Sequence, residues 1–108
     1  MRQAYVHGAL LSNVSDERAP GGAITMALCG RGEHEPPCPL APHHTAVTRE
    51  DDSVRLRILF ATEPDKVDEV RERIDHALAG GDWSLIESGC ARVEPGDRDH
   101  ARRLLKTR

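Results

Sequence analysis

Residues 54–81, VRLRILFATEPDKVDEVRERIDHALAGG, are the part of this chain that leaves the fewest folds open. In VRLRILF, Val54, Leu56, Ile58 and Phe60 alternate with Arg55, Arg57 and Leu59. That period of two places four apolar side chains on one face of a strand and the two arginines on the other. The period then changes. Val67, Val70, Ile74, Ala77 and Leu78 recur at helical spacing, the pattern of a helix buried along one stripe. Thr62 stands where a cap is needed, Pro64 and acidic residues fill the first turn, and Gly80-Gly81 ends the run. A strand feeding straight into an amphipathic helix commits the chain to helix packed on sheet.

The flanks extend that layer. Residues 3–12, QAYVHGALLS, lean towards a first strand, and NVSDERAPGG supplies turn residues in a block. AITMALC at 23–29 alternates Ile24, Met26 and Leu28 with Ala23, Thr25 and Ala27, which predicts a second strand ending at Cys29. WSLIESGCARVEP predicts a fourth strand, bulged at Gly89, and GDRDHARRLLKTR a closing helix with Ala101, Leu104 and Leu105 inward. The expected fold class is α+β: a mainly antiparallel four-stranded sheet, in the order β-β-loop-β-α-β-α, with two helices packed on one face. The strand-helix-strand unit at 54–93 predicts that strands three and four run parallel. The whole chain, 1–108, reads as a single domain with a Pro/Cys/His-rich loop at 30–50.

That loop carries the chemistry. CGRGEHEPPCPLAPHH, residues 29–44, holds two of the three cysteines and three of the six histidines, together with Pro36, Pro37, Pro39 and Pro42. The spacing Cys29-x4-His34-x3-Cys38-x4-His43-His44 offers two thiolates and two or three imidazoles, a donor set that suits tetrahedral zinc or another soft divalent transition metal. Gly30 and Gly32 allow a sharp turn after Cys29, and the prolines reduce the entropy lost when a metal gathers the ligands. Glu33 and Glu35 flank His34 and could orient its second ring nitrogen. Three of these ligands with an open position would instead make a small zinc-dependent hydrolase. A Cys29–Cys38 redox pair, metal handling, or a haem thiolate at Cys38-Pro39 are the sensing alternatives.

The remaining candidates have plain readings. His7 on the first strand could reach the base of the loop, although a strand histidine is more often satisfied by its neighbours. Cys90 fits a small buried thiol, and His76 and His100 fit solvated helix positions. The acidic REDDS fits a solvated turn. Arg55 and Arg57 would keep the outer sheet face wet or contact a partner. No Gly-rich phosphate loop or nucleophile elbow occurs.

Composition limits the function classes. A net charge of −3 and a pI near 6.0 give no basic field to draw nucleic acid or anionic lipid. No apolar run reaches the ~18 residues of a membrane span, and the N-terminus lacks the pattern of a signal peptide. A cytoplasmic location is expected, where thiols stay reduced and favour metal over disulfide. The Ala, Arg, Asp and Gly content hints at a bacterial chain of high GC coding. With only three aromatic residues the core is thin, so a second copy or a bound metal would help it. The sequence therefore predicts a zinc-binding accessory or interaction module that meets a protein partner or its own second copy as a homodimer.

Overall fold

A computed structural model describes residues 2–29 and 41–106, with Cys29 described as backbone only. Among these residues are four strands and three α-helices: β1 (Gln3–Ser12), α1 (Ala19–Cys29), β2 (His43–Glu50), β3 (Ser53–Thr62), α2 (Val67–Ala79), β4 (Ser84–Ala91) and α3 (Arg98–Lys106). Short 3-10 turns at Pro64–Lys66 and Pro95–Asp97 lead into α2 and α3.

The α+β class with a four-stranded antiparallel sheet is as expected, and the element order is not. The strands lie in the order β2-β3-β1-β4. β1 pairs antiparallel with β3 on one side and with β4 on the other, and β2 pairs antiparallel with β3. Strands β3 and β4 therefore run parallel to each other with β1 between them, the split β-α-β arrangement.

Residues 23–29 form the second half of α1, not a strand. Every residue from Ala23 to Cys29 is apolar except Thr25, so alternation and helical spacing fit the segment equally well. Ala19, Ala23 and Ala27 favour a helix, and Pro20 sits in the first turn, where its missing N–H costs nothing. Ile24 and Leu28, four apart, are buried, while Met26 between them is 58% exposed. The second strand lies later, at His43–Glu50, within the stretch expected to be loop. Its tight hairpin to β3 turns at Asp51-Asp52, where Asp51 adopts φ 57°, a left-handed conformation that aspartate tolerates.

Two layers of apolar contact hold the sheet. On one face, Ala9 and Leu11 of β1 and Val54, Leu56, Ile58 and Phe60 of β3 pack against Ile24 and Leu28 of α1 and Val70, Ile74 and Leu78 of α2. Each fully buried side chain of this kind contributes about 1.5–3 kcal/mol of transfer free energy. On the other face, Val6 and Leu59 pack under Ala101 of α3. The third helix thus lies on the outer face instead of joining the other two; it buries Ala101 and half-buries Leu104, while Leu105, expected inward, is exposed. Thr62 is the buried last residue of β3, so no side chain caps α2. Among the described residues, no helix is long and apolar enough to cross a membrane.

Candidate functional site

His7 is 1% exposed and is the most polar group in the sheet interior. Its Nδ1 lies 3.1 Å from an Arg71 guanidinium nitrogen, which also donates to the Val6 carbonyl at 3.0 Å. Its Nε2 lies 2.7 Å from Ser88 Oγ and 3.2 Å from Asp75 Oδ1. The Ser88 hydroxyl in turn donates to Asp75 in a short hydrogen bond. Arginine can only donate, so Nδ1 must accept and Nε2 must carry the proton. Burial holds the imidazole pKa below its usual value, against the pull of Asp75, and Arg71 lowers it further.

Serine, histidine and aspartate thus meet, yet not as a relay. In a nucleophilic triad the base accepts the serine proton on one nitrogen while the acid holds the other. Here Ser88 and Asp75 share the protonated Nε2, which has no lone pair to take a proton. The network ties β1 to α2 and β4 and satisfies a buried polar group. The Arg71–Asp75 spacing of four on α2 and the Ser88/Cys90 alternation on β4 were its sequence signals, but neither identifies His7 as the meeting point.

Of the five expected metal residues, the side chains of His43 and His44 alone are among the described residues. His34, Cys38 and the side chain of Cys29 lie outside the described residues. His43 and His44, adjacent on β2, point to opposite faces of the sheet. His43 faces the helices, with Nδ1 3.2 Å from the Ala41 carbonyl and Nε2 3.2 Å from Thr25 Oγ. Both nitrogens are thereby used. Desolvation lowers the His43 pKa, partly countered by the Ala41 carbonyl. His44 faces outward and packs against His100, with ring centroids 4.0 Å apart and the planes tilted by 36°. Its pKa is lowered by desolvation, and the His100 and Arg103 charges add to that. Among the described residues, no group of three or more His, Cys, Asp or Glu side chains is placed to hold a metal ion. This overturns the zinc module as a reading of function, along with the open zinc hydrolase and the metal, haem or thiol sensors drawn from the same loop. The alternation of a strand separates two histidines that spacing alone had put together.

His44 and His100 border a cleft of about 140 Å³ between the outer sheet face and α3, with Val6, Leu59, Arg57 and Asp97 as neighbours. Arg57 is already neutralised there. It donates to Asp97 at 2.6 Å and pairs with Glu94 at 3.4 Å. Arg57 clamps α3 to the sheet, while Arg55, paired with Glu50 at 3.3 Å, stays half exposed.

A further open feature lies on β4. A trough of about 580 Å³ is lined by Ile86, Glu87, Ser88, Gly89, Cys90 and Ala91 in unbroken sequence, with Gly8, Ala9 and Arg55 alongside. Every residue from Ile86 to Cys90 is exposed, Cys90 included, so the thiol is not the buried one expected. Gly8 and Gly89 face each other across the β1–β4 pair and leave this surface without side chains at its centre. A side chain at Gly89 would meet nothing within 4 Å. β4 pairs with β1 on one side and, among the described residues, with no strand on the other. The irregularity in the strand lies between Leu85 and Glu87, not at Gly89, and it leaves Glu87–Ala91 in regular register.

Comparison with known proteins finds no match. No family model, no curated protein and no solved structure matches this chain. The functional reading rests on geometry alone.

Proposed function

We propose that this chain is a protein-interaction module that works by strand addition, taking an extended segment of a protein partner along the free edge of β4. The observation that carries the reading is the exposed run Ile86 to Cys90 on β4, a strand that among the described residues has no neighbour on its outer side. An edge strand presents a row of unpaired N–H and C=O groups to any chain that can lie beside it. Edges that must stay unpaired are usually blunted by lysine, proline or a bulge. The regular stretch Glu87–Ala91 contains neither residue, and its bulge lies before it. Its single charge is Glu87. Affinity would come from main-chain hydrogen bonds, and selectivity from the small residues Gly89 and Ala91, which admit a close approach.

The test is a photo-crosslinking side chain at position 89, in the cells from which the protein comes, beside the same probe at Gly22 on α1. Neither position has an atom within 4 Å of an added Cβ, so each probe starts into open space, and far-UV circular dichroism checks that both variants keep the fold. Position 89 is expected to yield a covalent protein adduct and position 22 none. Equal yields, or no adduct from position 89, would overturn the reading.

A further inference from the structure

We infer that the strand added to β4 is β4 of a second copy, paired antiparallel about a two-fold axis at Gly89. The inference rests on the strand-addition reading and names its partner. The regular part of β4, Glu87–Ala91, has Gly89 as its midpoint. A two-fold axis there sets Gly89 against Gly89 of the second copy, Ser88 against Cys90, and Glu87 against Ala91.

Each pairing is physically acceptable. Directly opposed residues of an antiparallel pair share a face, and these do: Gly8, Leu10 and Val6 place Gly89, Glu87 and Ala91 on the outer face, while Ala9 and His7 place Ser88 and Cys90 on the helix face. The axis residue has no side chain, and the space around it is open. The only charged residue of the strand meets an alanine, so the two Glu87 carboxylates are never opposed, whereas like charges opposite one another would destabilise the pair. Ser88 and Cys90, both small and exposed, fill each other's side. Isologous pairing is also the commonest way for identical chains to associate. In the resulting eight-stranded sheet, an axis perpendicular to the sheet leaves both copies of α3 on the same face.

The prediction turns on the charge at position 89. On the axis, residue 89 meets only itself. Gly89→Lys and Gly89→Glu therefore each place like charges in opposition, and each should weaken self-association of the full chain at least about threefold. An equal mixture of the two variants pairs lysine with glutamate and should restore association to the wild-type level or beyond. Sedimentation equilibrium reads all four samples, and far-UV circular dichroism confirms that both variants keep the fold. Wild-type chain that stays monomeric at millimolar concentration would overturn the inference, as would association indifferent to either variant or left unrestored in the mixture. Tightening by Gly89→Lys alone would place Glu87 opposite position 89 and overturn this register. Monomeric protein together with a crosslink from position 89 to a different protein would remove the second copy as partner while leaving strand addition standing.

Discussion

At the scale of single residues, three histidines set how the molecule responds to pH. His7, His43 and His44 are each held below the usual imidazole pKa, with desolvation the leading cause in every case. The unfolded chain therefore binds more protons than the folded one in the window between the depressed values and about 6.5. Stability is fully present above that window and falls as pH drops through it. Urea unfolding is expected to give a lower midpoint at pH 5 than at pH 7.5. A midpoint that rises on acidification would contradict the assignment of His7 and His43 as neutral, hydrogen-bonded groups. His7 is sensitive for a second reason: protonating Nδ1 turns its contact with Arg71 from a hydrogen bond into a meeting of two donors. The residue types in this network are legible in the sequence, but their meeting is not. His7, Arg71, Asp75 and Ser88 come from three elements, and only the register of β1 with β4 and the seating of α2 bring them within hydrogen-bonding reach.

At the scale of elements, α3 is the piece most loosely joined. It adds a single buried side chain, Ala101, to a cluster of three buried residues, and the Arg57–Asp97 contact supplies its polar anchor. Asp97 also caps the helix entry, accepting from the Glu94 backbone at 2.8 Å. Asp97→Asn removes the charge from both contacts at a cost of about 1 kcal/mol. Amide exchange in α3 should then speed up several-fold while that in α2 stays unchanged, as mass spectrometry of the exchanged peptides would show. Equal acceleration in α2 would mean that α3 unfolds only with the whole domain. Strand β3 and helix α2 were legible because each carries one clear period over its length. Helix α1 and strand β2 were not. In α1 a run apolar at every position but Thr25 fits either period, and in β2 the pattern HHTAVTRE has only two apolar residues, since it is an edge strand with most side chains exposed.

At the scale of the whole molecule, the two faces of the sheet differ in kind. The larger core draws on α1, α2, β1 and β3 and includes no residue of α3. A chain ending at Glu94 is therefore expected to retain a cooperative melting transition and the far-UV spectrum of the sheet with its first two helices. It should also uncover Val6 and Leu59, melt several degrees lower and bind a dye that reports exposed apolar surface. Loss of the cooperative transition would show instead that the outer helix is integral to the core. The same asymmetry makes β4 the open side of the molecule. It contributes little to either cluster, and its exposed length, Ile86 to Cys90, is the surface on which the proposed strand addition takes place.

By itself, the sequence determined the class of the fold and the central strand-helix unit. These follow from local periodicity, which a single segment carries without help from the rest of the chain. The tertiary structure decided which strands are neighbours, that His43 and His44 are parted by the plane of the sheet, and that β4, among the described residues, keeps a free edge. Those facts depend on contacts between residues far apart in the chain. The cysteine and histidine spacing that promised a metal site described distance along the chain, whereas ligation depends on distance in space.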